Sequence, residues 1–318
     1  MAENYLEPIV LERADPWVYK HTDGYYYFTG SKPGYQEIEL RRAKTLRGLA
    51  HCETKVVWHA HEEGPLSQLI WAPEVHFIRG KWYIYFAASD HSVIRDDTHH
   101  HRMFAIENAC ADPFEGEWQE KDQIKTQFES FSLDATVFEH KNRLYYVWAQ
   151  ADPNIPGNSN LYLSEMENPW TLTGKQILLS IPYYDWEKIG FKVNEAPAVL
   201  IKNGKVIITY SASATDENYA MGLLWADADS DLLNGYSWNK LEKPVFSSSE
   251  NNSLYGPGHN SFTECEDGTQ EIIVYHARPE KNDYSDPLEN PNRHAYYQPF
   301  TWSQEGLPEF GEPGVVKR

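Results

Sequence analysis

The stretch DPWVYKHTDGYYYFTGS (residues 15–31) decides the fold, because its pattern returns four more times along the chain. The other copies are APEVHFIRGKWYIYFAAS (72–89), DATVFEHKNRLYYVWAQ (134–150), APAVLIKNGKVIITYSAS (196–213) and HNSFTECEDGTQEIIVYHA (259–277). Each reads as a short apolar strand, a turn, and a second strand rich in aromatic or β-branched residues, which suit a pleated and half-buried surface. The turns fall at Asp23-Gly24, Arg79-Gly80, Lys141-Asn142, Asn203-Gly204 and Asp267-Gly268, each with Gly or Asn in second place to accept a positive φ.

Outward from that stretch, the equivalent apolar positions are Val18, Val75, Val137, Val199 and Phe262, spaced by 57, 62, 62 and 63 residues in a chain of 318. Five copies use up the whole length, so residues 1–318 are expected to form one domain. Helical periodicity is nearly absent; the few candidates, such as the stretch around Glu37 to Leu49, are weak and interrupted by glycine. A repeat of this length built from strands predicts an all-β protein, a five-bladed β-propeller with one four-stranded sheet per blade. WD40 and kelch repeats, at about 40–45 and about 50 residues, are shorter. A β-sandwich gives no reason for five similar hairpins at even spacing.

Composition narrows the function. The 45 aromatic residues (21 Tyr, 13 Phe, 11 Trp) serve strands and core first, but flat rings also suit sugar faces. A net charge of −19 argues against nucleic acid and against an anionic membrane surface as partners, and is compatible with a neutral polymer. The cysteines, Cys52, Cys110 and Cys265, form no CxxC pair and suggest a reducing compartment. MAENYLEPIVLERADP (1–16) has neither a basic nor an apolar signal segment, so a cytoplasmic location is expected. No apolar run approaches a membrane span, and nothing in the sequence addresses oligomeric state.

In a propeller the first strand of each blade lies against the central channel, so equivalent residues on those strands converge. Three residues before each aligned apolar position stand Asp15, Ala72, Asp134, Ala196 and His259, and Glu195 immediately precedes Ala196. Carboxylates on otherwise apolar strands are costly to bury, and a converging set of them marks a site more readily than a set of unrelated turn caps. Glycoside hydrolysis uses this set: one carboxylic acid protonates the leaving oxygen, and a second carboxylate activates water or attacks the sugar. A third acid nearby raises the donor's pKa by like-charge repulsion.

The segments ERADPWVYKHTDGYYYFTGS (12–31), IWAPEVHFIRGKWYIYFAA (70–88), SFSLDATVFEH (130–140), VNEAPAVL (193–200) and YGPGHNSF (255–262) resemble glycoside hydrolase family 43 in order and spacing. Within that family the resemblance is to intracellular exo-acting 1,5-α-L-arabinofuranosidases. It implies a five-bladed propeller and an inverting hydrolase releasing L-arabinofuranose from α-1,5-linked arabino-oligosaccharides. It also implies Asp15 as general base, Glu195 as general acid, and Asp134 as the residue that orients Glu195 and tunes its pKa. His259 matches a histidine on the propeller axis, beside which some relatives hold a metal ion, often calcium, through water. No cofactor is expected to be required. Arg293 resembles an arginine that reaches the sugar. Trp71 and Phe191 are candidate stacking faces, with a core role as the alternative for each. His99, His100 and His101 read as an exposed loop (Ser89 to His101) at the rim rather than a zinc site, since adjacent histidines rarely converge on one ion. A β-xylosidase or endo-arabinanase of the same family is the alternative activity, and a non-catalytic sugar-binding propeller the alternative of a different kind.

Overall fold

The computed structural model describes residues 5–90, 100–281 and 290–315. They form the expected five-bladed β-propeller, each blade an antiparallel meander. Blade I comprises β1 (Ala14–Lys20), β2 (Tyr26–Ser31), β3 (Glu37–Ala43) and β4 (Glu53–His59). Blade II comprises β5 (Gln68–Ile78), β6 (Lys81–Ser89), β7 (Arg102–Asn108) and β8 (Gln119–Glu120). Blade III comprises β9 (Ser132–His140), β10 (Arg143–Gln150), β11 (Asn160–Asn168) and β12 (Thr171–Ser180). Blade IV comprises β13 (Asn194–Lys202), β14 (Lys205–Ala212), β15 (Ala220–Asp227) and β16 (Asn239–Lys240). Blade V has β17 (Tyr255–Glu264), β18 (Glu271–Arg278) and β19 (His294–Pro299), followed by a small hairpin of β20 (Thr301–Trp302) and β21 (Pro308–Glu309).

The repeated hairpins follow from their turns. At Arg79-Gly80, Lys141-Asn142 and Asn203-Gly204 both residues have positive φ, the two-residue turn whose twist matches that of the strands it joins. The weak helical candidate around Glu37 to Leu49 is no α-helix. Glu37–Ala43 is β3, and only Arg47–His51 turns, as a short 3₁₀ segment. Alternation in β3, with Ile38 and Leu40 fully buried, outweighs the weak 3.6-residue pattern. No helix among the described residues is long and apolar enough to cross a membrane.

Blade V lacks a fourth strand of its own, and the chain's beginning supplies it. The Ile9 amide donates to the Ala295 carbonyl at 2.8 Å and the Ala295 amide to Val10 at 2.9 Å, so the N-terminal segment pairs with the free edge of β19 and closes the ring. The apolar core lies between blades rather than within one. One cluster joins blades II, III and IV, and smaller ones join I to II, I to V and IV to V. Aromatic donors stitch the same boundaries, as where the Trp17 indole donates to the Val75 carbonyl at 2.8 Å. Of the aligned apolar residues, Val18, Val75 and Val137 are buried, whereas Val199 and Phe262 are only partly so.

Packing is tight enough to dictate one glycine in blade IV. Tyr210 pairs directly with Gly222 across β14 and β15, and a Cβ at 222 would lie within 2.2 Å of the tyrosine ring. Gly222→Ala should therefore overpack the sheet and destabilise the fold by about 1–3 kcal/mol, read as a lower urea midpoint at unchanged m.

Candidate active site

The five ring residues share an unusual backbone. Asp15, Ala72, Asp134, Ala196 and His259 all have left-handed φ, between 44° and 55°. The pairing of each innermost strand with its neighbour slips at or beside this residue. A non-glycine residue pays about 1–2 kcal/mol for this conformation. The resulting bulge re-aims the side chain towards the axis.

The bulged amides lose their ladder partners, and the preceding blade replaces four of them. The Ala72 amide donates to Ser31 Oγ (2.8 Å), the His259 amide to Ser211 Oγ (2.9 Å), and the Asp15 amide to His276 Nδ1 (3.1 Å). These acceptors sit at one register position of the second strand, occupied by Ser31, Ala87, Ala149, Ser211 and His276. Blade III has Ala149 there, which cannot accept. The Ala196 amide instead donates to Asp134 Oδ2 at 3.1 Å, so Asp134 holds the backbone directly after Glu195.

Around the axis these devices gather Asp15, Asp134, Glu195, His259 and Arg293. Asp15 Oδ1 lies 3.1 Å from His259 Nδ1 and 3.5 Å from an Arg293 guanidinium nitrogen, and Ser31 donates to Oδ2. Burial works to raise the Asp15 pKa, but the charges of His259 and Arg293 prevail and hold it well below the usual carboxylate range. Asp134 is raised, chiefly by burial and by the charge of Asp15 against the opposing pull of His259. Glu195 is raised further, by burial and by Asp134, although Tyr219 donates to its Oε1 at 2.8 Å and favours the anion. The carboxylates are thus driven apart, one ionised and one protonated near neutrality, which equips the site with both a base and an acid.

Two histidines on the axis differ in charge. His259 resists burial because Asp134 and Asp15 raise it to about 9. His276 is pushed down to about 3 by burial, and its unprotonated Nδ1 is the acceptor for the Asp15 amide. His259 Nδ1 lies 3.7 Å from Asp134 as well as 3.1 Å from Asp15. Among the described residues no group of three or more His, Cys, Asp or Glu is arranged to hold an ion.

The remaining expected residues divide. Arg293 is buried rather than in a surface ion pair, and it also donates to the Tyr35 hydroxyl at 3.3 Å. Trp71 immediately precedes ring residue Ala72; it is mostly covered, stacked on His101 at 3.9 Å and edge-on to Tyr35. Phe191, 46% exposed, lies four residues before Glu195 on a loop instead of on the axis. The exposed histidine loop holds at His100 and fails at His101. His101 is fully buried and its Nε2 lies 2.9 Å from the Leu69 carbonyl, while His99 lies outside the described residues.

Sequence reasoning missed Tyr219, His276 and Ser31. Tyr219 stacks on His276 with centroids 5.4 Å apart, which joins the partner of Glu195 to the partner of Asp15. Gly258 permits this, since a Cβ there would come within 2.5 Å of the Tyr219 ring. Aligning the second strands of the repeats would have exposed Ser31 and His276; Tyr219, just before β15, lies outside the repeated hairpin and left no such signal.

Comparison with known proteins places this geometry. The chain is 49% identical over 309 residues, 97% of its length, to a Streptomyces avermitilis protein named extracellular exo-alpha-(1->5)-L-arabinofuranosidase, of which it spans 63%. A protein of the same name from Streptomyces chartreusis is 50% identical over 89% of the chain and 85% of its own length. The crystal structure of an alpha-L-arabinofuranosidase from Lactobacillus brevis superposes with a TM-score of 0.95 at 54% identity, covering 98% of both chains. The extracellular naming of both Streptomyces relatives overturns the cytoplasmic expectation. Scarce cysteine was a poor guide, because a propeller with cores at every blade boundary has no need of disulfides, and all three cysteines are free thiols. Residues 5–308 match the description of glycosyl hydrolases family 43, and the chain belongs to that family.

Proposed function

We propose that the chain is an exo-acting α-L-arabinofuranosidase that releases L-arabinofuranose from α-1,5-linked arabino-oligosaccharides with inversion, residues 1–318 acting as one catalytic domain. The observation that carries this reading is the divergence of Asp15 on blade I and Glu195 on blade IV, one held ionised and the other protonated. The names of relatives near 50% identity support the arabinofuranoside.

In this reading Asp15 accepts a proton from water as it attacks the anomeric carbon, and Glu195 delivers one to the departing glycosidic oxygen. Inversion asks for carboxyl groups about 6.5–9.5 Å apart, wide enough to admit the water. His259 and Arg293 keep Asp15 ionised until it takes that proton, and Arg293 also offers its guanidinium to sugar hydroxyls. Asp134 acts through Glu195, both by holding the Ala196 amide and by raising the acid's pKa. Trp71, braced by His101, and Phe191 on its loop supply apolar faces to the sugar and to the leaving group respectively.

Three outcomes are expected. Arabinotriose should be shortened stepwise to free arabinose, and xylobiose left intact; xylose release would replace the proposed substrate with a xyloside. Asp15→Ala and Glu195→Ala should each lower kcat/KM on arabinotriose by about 10²–10⁴-fold. Glu195→Ala should still bind sugar by calorimetry, and turnover unchanged by either substitution would remove the mechanism.

The pH profile tests the charges. Activity needs Glu195 protonated, so it should fall as pH rises through about 8, and Asp15 ionised, so the acid limb should lie below the ordinary carboxylate range. Asp134→Asn removes a negative charge that holds the Glu195 proton. The alkaline limb of kcat/KM should then move to lower pH; a limb that stays in place would separate Asp134 from the tuning role.

A further inference from the structure

We propose that buried Glu187 and its partner Lys240 form a positioning device for the general acid, bracing the residue before Glu195 against the outer edge of blade IV. This rests on the assignment of Glu195 as acid made above.

Glu187 is fully buried at the end of the 3₁₀ turn Asp185–Glu187, on the loop that leads from blade III into β13. Its carboxylate receives five donors. The Tyr183 and Tyr184 amides donate to Oε2, both at 2.8 Å. The Tyr210 hydroxyl (2.8 Å) and Asn194 Nδ2 (3.0 Å) donate to Oε1, and Lys240 Nζ lies 2.6 Å from the same oxygen. Lys240 is on β16, the outermost strand of blade IV, and Asn194 opens β13, the innermost. The pair therefore spans the end of the blade from rim to axis.

Asn194 is the point where this brace meets the chemistry, because Glu195 follows it and the bulge at Ala196 comes next. Its side chain has little freedom left. Oδ1 accepts from Ser180 Oγ (2.6 Å) and Lys240 (3.3 Å), and Nδ2 donates to Glu187 and to the Val193 carbonyl (2.9 Å). Its amide donates to the Ser159 carbonyl at 3.1 Å. The same loop is pinned to the end of blade IV's second strand. Ser213 Oγ donates to the Trp186 carbonyl (2.6 Å) and accepts from the Ile189 amide (2.9 Å), a few residues before Tyr219 donates to Glu195. Glu195 is thus held from Asn194 on one side and Tyr219 on the other, with both supports tied to one loop.

A buried ion pair adds little stability over an apolar replacement, since desolvation offsets the attraction. What it supplies is a fixed geometry, and the groups fixed here are those that aim the acid. Proton delivery demands hydrogen-bond reach to the leaving oxygen, so a small displacement of Glu195 should cost turnover on leaving groups that need a proton and spare those that do not.

The test compares kcat and KM on α-1,5-arabinobiose, whose leaving alkoxide requires protonation, with those on 4-nitrophenyl α-L-arabinofuranoside, whose phenolate does not. Glu187→Gln and Lys240→Gln should each lower kcat on arabinobiose by about 10–100-fold, within the range that general-acid assistance contributes, and on the aryl substrate by less than about 3-fold. KM should change little on either, and Lys240→Arg should restore most of the loss. Ser180→Ala, which removes one donor to Asn194, should give a smaller split in the same direction, and it decides the matter if Glu187→Gln does not fold. An equal fall on both substrates, or none, overturns the brace. Glu195→Ala is run beside them: a split there without one in the brace variants removes the brace alone, and no split in Glu195→Ala removes the acid assignment and the brace together.

Discussion

The site depends on a backbone conformation repeated at one position in every blade. A regular innermost strand would turn alternate side chains between its two faces and give the axis no common set of groups. The left-handed residue breaks that regularity five times, at Asp15, Ala72, Asp134, Ala196 and His259. The conformation is unfavourable for each, and its exposed amide would be a second cost if left unpaired. A side chain from the preceding blade satisfies four of these amides, so strain at one strand is compensated by a contact that also sets the angle between blades. Blade packing and active-site geometry are consequently one set of interactions.

Asymmetry is laid over that repeat. Where the acceptor is serine, as at Ser31 and Ser211, the contact does structural work. Where alanine replaces it, at Ala149, Asp134 takes over the acceptor role and brings a charge to the axis, one residue from the acid. Where histidine replaces it, at His276, burial keeps the ring neutral and leaves Nδ1 free to receive the Asp15 amide. The net result is that the two carboxyl groups meet different charges. Asp15 faces His259 and Arg293, whereas Glu195 faces Asp134 and a hydroxyl, so equal chemical groups reach opposite protonation states.

The fold was legible because its signal is long-ranged. Five hairpins at spacings near sixty residues are hard to reproduce by chance, and Asp15, Asp134 and His259 follow from aligning them. Glu195 stands one place off the ring and was found from its NEAP context. Local detail was less legible. Glu37 to Leu49 carried a mixed periodicity that only the packing of Ile38 and Leu40 resolved. His101 looked exposed because its neighbours are histidines, yet Trp71 covers it. Tyr219 and Glu187 sit in connections of irregular length, where no repeat exists to align and the contacts that define them arise only once the blades have assembled.

The closure of the ring by Ile9 and Val10 lies beside the site. These residues run directly into the strand that carries Asp15, and they pair with Ala295, two positions after Arg293. Asp15 and Arg293 therefore face each other across the join between first and last blades, which the apolar cluster of blades I and V and the Val18 amide's bond to Ser261 also hold. The ion pair that helps hold Asp15 well below the usual carboxylate range is thus also a contact across the seam, so closing the ring and setting the charge of Asp15 draw on the same stretch of chain.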